Sequence, residues 1–227
     1  MRINNNLIFS TGRDYREARI WSNTVLRKVG YLFKGNIVNI SGWKDEDKQG
    51  GFYKNYFPNS KSYSITNYGE GVRGDLEDGQ MQLDLESKLP KELIDYADVV
   101  FNHTTLEHVF DIFTAFRNLS LMTNDILILV VPAIQEEHYS DSLGDYWRFM
   151  SGSILKLLEK NKLTPLTFTS TPYRNCSIYH FIIASKKPER WKNKLSIIES
   201  SINEGSEIIR SSILERVINK VIRLTKK

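Results

Sequence analysis

The sequence predicts an α/β fold: a doubly wound, mostly parallel sheet that ends in an antiparallel hairpin and is followed by C-terminal helices. Three observations carry this prediction. Short apolar runs alternate with stretches of helical periodicity along the chain, the arrangement of stacked strand–helix units. One run, Asp125 to Val131 ("DILILVV"), is apolar almost throughout, as are strands buried on both faces of a parallel sheet. The last two runs, Leu163 to Ser170 and Ser177 to Ser185, are joined by the turn-like "TPYRN", which predicts a hairpin.

The elements follow in order. Asp14 to Phe33 carries Ala18, Trp21, Val25, Leu26 and Val29 on one side, which predicts a helix that Gly35 stops. Strands are expected at Asn36–Ile40, Ser62–Thr66, Met81–Leu85 and Ala97–Asn102. Leu106 to Leu121 repeats Val109, Ile112, Phe113, Phe116 and Leu119 at helical spacing. Ser151 to Asn161 does the same with Ile154, Leu155, Leu157 and Leu158. A domain over 1–188 and a helical extension over 189–227 are therefore expected, the extension holding helices at Trp191–Asn203 and Ser211–Lys227.

Composition narrows the partners. Of 227 residues 41% are hydrophobic, enough for one domain with a real core. The single cysteine, Cys176, permits no internal disulfide and favours a reducing, cytoplasmic compartment. "MRINNNLIFS" offers no basic-then-apolar leader, and the longest apolar run is too short to cross a bilayer. Six of the last eighteen residues are basic and one is acidic. That leaves the body of the chain, against an overall net charge of +4, close to neutral, so a nucleic-acid surface is not expected. On the final segment Arg216, Lys220, Arg223 and Lys227 cluster on one face, and Ile213, Leu214, Val217, Ile218, Val221, Ile222 and Leu224 fill the other. Such an amphipathic helix either packs on the domain, pairs with a second copy, or lies on the inner face of an anionic membrane.

In doubly wound sheets ligands sit at the carboxyl ends of the strands. There the sequence places "ISGWKDEDKQGG" after the first strand, "TNYGE" after the second, "LDLESKLP" after the third and "FNHTTLEHVFD" after the fourth. Together with "VVPA" and "GDYWRFMSGSILKLLEKNKL" further on, these segments resemble the class I S-adenosylmethionine-dependent methyltransferases. The resemblance spans roughly Asn36 to Lys186. It is to the version with "LEHV" and "DYWRF" motifs that is frequent among enzymes associated with cell-surface polysaccharide genes. It implies a Rossmann-like sheet, S-adenosylmethionine as cofactor, and methyl transfer to a sugar hydroxyl or polysaccharide intermediate; the alternative is an inactive scaffold on the same fold.

The resemblance also implies site residues. Ser41 and Gly42 stand where the family's glycine-rich loop lets backbone approach the cofactor, although Trp43 to Asp47 replace the small residues expected next. Asn67 stands near the family's ribose-binding carboxylate, which Glu70 can replace from the loop. Asp84 and Leu85 stand where adenine is read, and Asn102 and His103 at the methionine end. The loop thus has three readings: an altered cofactor cradle, a site for another ligand, or a fold without cofactor.

A hydroxyl acceptor benefits from a general base, for which His103 and His138 are the candidates; a structural hydrogen bond for His103 and a solvated loop position for His138 are the plainer alternatives. Tyr146, Trp147 and Arg148 combine flat aromatic surface with a cation that suits a sugar or phosphosugar, or else Trp147 packs in the core while Arg148 pairs with an acid. Glu107 is expected to complement a helix dipole. The spacing of the four histidines predicts no metal site, and Cys176 no catalytic thiol.

Overall fold

The computed structural model describes residues 11–70, 75–135, 137–139, 144–172 and 178–195. Helix α1 (Thr11–Val29) precedes strands β1 (Gly35–Ile40), β2 (Ser60–Asn67), β3 (Met81–Gln82) and β4 (Ala97–His103). Helix α2 (Ile112–Met122) leads to β5 (Thr123–Pro132), and α3 (Ser151–Lys160) to β6 (Thr164–Ser170) and β7 (Tyr179–Ser185). The seven strands form one sheet in the order β3-β2-β1-β4-β5-β7-β6. The first five in that order are parallel, and β7 runs antiparallel to both neighbours. The parallel sheet and the terminal hairpin are as the sequence predicts.

The alternation of side chains along each strand explains the apolar runs. On β5, Leu127, Leu129 and Val131 face a layer built by Phe116 and Leu119 of α2 and Ile154 and Leu158 of α3. Ile126, Ile128 and Val130 face the opposite layer, where Ala18, Leu26 and Val29 of α1 pack with Phe33 and Phe57. Both faces of β5 are thus covered, and each such side chain stabilises the fold by about 1.5–3 kcal/mol on burial.

The chain order reverses direction across the sheet at β1. From there β2 and β3 extend one way and β4 and β5 the other, which opens a crevice at the carboxyl ends of β1 and β4. Register keeps those ends level: Ile40 pairs with both Thr66 and Asn102.

Several elements differ from expectation for physical reasons. The first helix ends at Val29, followed by a 3-10 turn over Gly30–Leu32. A Cβ on Gly30 would lie 1.9 Å from the Tyr56 carbonyl oxygen, so only glycine fits there. The helix expected from Leu106 is two pieces, a 3-10 turn at Leu106–His108 and then α2. Asp111 caps α2 by accepting from the Thr114 N–H at 3.1 Å. Glu107 is therefore buried rather than placed at a helix start. Phe113, expected in the apolar stripe, faces solvent with the Lys160 ammonium over its ring. The third strand is only two residues long, because the chain turns at Asp84, whose carboxylate accepts from the Glu86 N–H and the Ser87 hydroxyl.

After β7, Trp191 meets Phe33 at a tilt with ring centroids 5.3 Å apart and Leu195 is buried, so residues 189–195 pack on the α1 face as turns. The remainder of the helix expected at Trp191–Asn203, the amphipathic helix at Ser211–Lys227 and Cys176 lie outside the described residues. Among the described residues no helix is long and apolar enough to cross a membrane.

Candidate active site

A cavity of about 490 Å³ occupies the crevice, within the range of small-molecule sites. Of the residues the sequence points to, Ser41, Gly42, Asn67, Asp84, Leu85, His103 and Tyr146 line it, and so does Glu70. Asn102, His138, Trp147 and Arg148 are not among its lining residues.

The loop after β1 replaces small residues with unusual backbone. Ser41, Trp43, Asp45 and Lys48 all have positive φ, between 47° and 61°, a conformation that costs a non-glycine residue about 1–2 kcal/mol. Two buried carboxylates hold it. Asp45 accepts from the Asn39 amide at 2.7 Å, the Tyr63 hydroxyl at 2.6 Å and the Lys54 N–H at 2.9 Å. Asp47 accepts from the N–H groups of Gln49 and Gly51 at 2.7 and 2.9 Å and from the Tyr56 hydroxyl at 2.7 Å. Burial pushes the Asp47 carboxyl up, but these donors outweigh it and hold its pKa below the usual range. Asp45 and Asp47 thus point into the protein body, while Glu46 and Lys48 stand at the cavity wall. Gly42 is required by contact: a Cβ there would lie 2.5 Å from Asn39 Nδ2.

Asn67 closes this loop. Its Oδ1 accepts from the Trp43 N–H at 2.7 Å, and its amide nitrogen donates to Gln80 Oε1. Asn67 is thus engaged in a structural role, and Glu70, exposed, is one of the carboxylates that line the cavity. Asn102 is fully buried and donates to the Ile40 carbonyl at 3.0 Å; it ties β4 to β1 beneath the cavity floor.

His103 is not placed as a base. Arg19, which only donates, lies 3.3 Å from His103 Nδ1, so that nitrogen accepts. Nε2 then carries the proton and donates to the Ser22 hydroxyl at 2.9 Å, which itself donates to the Arg19 carbonyl. Burial, and next the Arg19 charge, push His103 well below its ordinary pKa. The ring is neutral with its lone pair in use. Arg19 also reaches the Tyr53 hydroxyl at 3.1 Å and Thr104 Oγ1 at 2.9 Å. The sequence reading missed Arg19 and Tyr53. The signal available was a polar stripe, Arg19, Ser22 and Asn23, bordering the apolar side of α1.

The "DYWRF" segment splits. Tyr146 is half-exposed and meets Phe110 edge to face, ring centroids 5.4 Å apart. Trp147 packs against the α2 layer and donates from Nε1 to the Val109 carbonyl at 2.9 Å. Arg148 grips Asp145 with two bonds of 2.5 and 2.7 Å. Burial pushes the Asp145 carboxyl up, yet Arg148 and the His138 N–H bring it down to about 2. The plainer alternative for Trp147 and Arg148 describes their placement, and Tyr146 alone of the three reaches the cavity. His138 sits beside His108, with Nε2 atoms 3.3 Å apart, and His108 lines the cavity. The neighbouring Glu107 is 1% exposed, and burial pushes its carboxyl up to about 8.

No protein-family model and no curated protein matches the sequence. Solved structures do match in fold. A 1,6-didemethyltoxoflavin-N1-methyltransferase from Burkholderia thailandensis, with S-adenosylhomocysteine bound, superposes at TM-score 0.53 with 12% identity over 77% of this chain and 82% of its own. An S-adenosylmethionine-dependent methyltransferase from Clostridium acetobutylicum gives 0.54 and 9% over 74% and 91%. Magnesium protoporphyrin IX methyltransferase from Synechocystis, with S-adenosylmethionine bound, gives 0.52 and 14% over 77% and 82%. The fold is that of the class I methyltransferases.

Proposed function

We propose that this protein binds S-adenosylmethionine in the cavity and transfers its methyl group to a sugar hydroxyl or polysaccharide intermediate. One observation carries the reading: the strained loop after β1 turns Asp45 and Asp47 inward and borders a cavity of about 490 Å³ over the carboxyl ends of the strands. The residues fit the cofactor. Gly42 and its neighbours bring backbone to the cavity wall, Glu70 supplies a carboxylate for ribose hydroxyls, and Asp84 and Leu85 edge the side where an adenine would lie. The cofactor supplies a methyl on a sulfonium, so the protein's work is alignment of the acceptor.

The acceptor class rests on the sequence resemblance and on the open faces of Tyr146 and Phe110 at the cavity mouth. The test is incubation with methyl-labelled S-adenosylmethionine and a panel of sugar nucleotides and oligosaccharides. Label in a sugar hydroxyl is the expected result. Methylation of a non-sugar panel alone overturns the acceptor class.

A further inference from the structure

We propose that Arg19 and Tyr53 form an anion-binding pair that selects a carboxylate-bearing acceptor, a sugar acid rather than a neutral sugar. The inference rests on the methyl-transfer reading above and narrows its acceptor.

Arg19 is a half-buried cation at the cavity wall, and a cation drawn out of water calls for a counter-charge. Its bonded partners are all neutral: the Tyr53 hydroxyl at 3.1 Å, His103 Nδ1 at 3.3 Å and Thr104 Oγ1 at 2.9 Å. These bonds use three of the five N–H donors of a guanidinium. Lys48, which also lines the cavity, is already paired with Glu46 at 2.9 Å. Glu107 acts on Arg19 only from a distance. Burial lifts the Glu107 carboxyl to about 8, so it offers little charge at neutral pH. Among the described residues Arg19 thus has no carboxylate partner.

Tyr53 is an independent sign. It is 4% exposed and lines the cavity. Its oxygen accepts from Arg19, and among the described residues no bond uses its own hydrogen. Burial raises its pKa, so that hydrogen stays in place. A buried donor left unmatched is costly, and an anion in the cavity would match it. Guanidinium and phenol together then hold one small anion by charge-assisted bonds.

The cavity wall sets the anion's charge and its source. Glu46, Glu70, Asp84 and Glu86 also line it, from the loops after β1, β2 and β3. Against them one free guanidinium balances a single negative charge, which favours a carboxylate over a phosphate near −2. Arg19 stands on the other side of the crevice, at His103, whose ring meets Tyr179 of β7 with centroids 6.1 Å apart. The anion is therefore assigned to the acceptor, and the cofactor's own carboxylate is the rival source.

The purified full chain, with and without S-adenosylhomocysteine, is titrated by calorimetry at low salt with glucuronate, galacturonate and mannuronate, each against its neutral hexose. At least one acid is expected to bind about tenfold tighter than its parent hexose. Arg19→Gln should abolish that preference and Tyr53→Phe should narrow it. Should Arg19→Gln fail to fold, Tyr53→Phe, which keeps the ring, carries the test. No preference for any acid, whether both members of a pair bind alike or neither binds, overturns the proposal. It also falls if Arg19→Gln loses affinity for S-adenosylhomocysteine but binds methylthioadenosine, which lacks the amino-acid end, as before. Arg19 then serves the cofactor. Acid preference in a chain that binds no cofactor leaves the anion site standing and removes the methyl-transfer reading. Labelled methyl transfer to neutral hexoses without acid preference does the reverse.

Discussion

Arg19 reaches across from α1 to place its guanidinium 3.3 Å from His103 Nδ1 at the end of β4. The contact fixes the tautomer of the histidine and ties the first helix to the cavity wall. Removing Arg19 leaves His103, Tyr53 and Thr104 short of a donor. Arg19→Ala is therefore expected to cost about 1–3 kcal/mol in denaturant unfolding. The pKa of His103, followed by NMR, is expected to rise, because a nearby positive charge is gone.

His103 is expected to act as a positioning residue. With its lone pair engaged and its ring neutral, it contributes no ionisation to a pH–rate profile. His103→Asn should lower the melting temperature while the shape of that profile is kept. Loss of an acid limb in the variant would instead restore His103 as the base.

His180 gives a stability signature. It is buried, bonded at Nδ1 to the Ser170 hydroxyl at 2.7 Å, and burial pushes its pKa down to about 4. The unfolded chain binds a proton near pH 6.5, so below that pH the unfolded state holds more protons than the folded one. The stability is thus fully present above about 6.5 and is lost as pH falls toward 4. Urea unfolding at stepped pH should show that slope, and His180→Gln should flatten part of it.

Much of the frame was legible in the residues. "DILILVV" announced a strand covered on both faces because nothing polar interrupts either face. The hairpin and the loops that line the cavity followed from the order of strands and turns. What the sequence hid were relationships between distant residues and backbone geometry. Arg19 and His103 are 84 positions apart. Nothing in "GWKDED" shows that Trp43 and Asp45 take left-handed backbone, or that Asp45 and Asp47 turn inward to hydroxyls and N–H groups. Glu107 was misplaced because Leu106 and Val109 also face the core, so the apolar period runs unbroken through a 3-10 turn that is no part of α2.

The loop anchors give two further expectations. Asp47→Ala removes the acceptor of two N–H groups and the Tyr56 hydroxyl. A loss of about 2–3 kcal/mol is expected, read by thermal and urea unfolding. Weaker cofactor binding should accompany it, since the loop loses the shape that keeps the cavity open.

Gly42→Ala drives a methyl against Asn39 and to within 3.1 Å of Ile65 Cγ2. Asn39 in turn holds Asp45. The expected outcome is a folded protein whose affinity for S-adenosylhomocysteine falls by about tenfold, near 1.4 kcal/mol, measured by thermal shift against ligand concentration.

The central claim is that a loop of large, charged residues still forms a cofactor cradle. Calorimetric titration of the purified chain with S-adenosylmethionine, and with its demethylated product, tests this most directly. Binding with a micromolar dissociation constant, about −8 kcal/mol, is the predicted result. No heat and no thermal shift at millimolar concentrations of either compound would contradict the account and leave the cavity to another ligand.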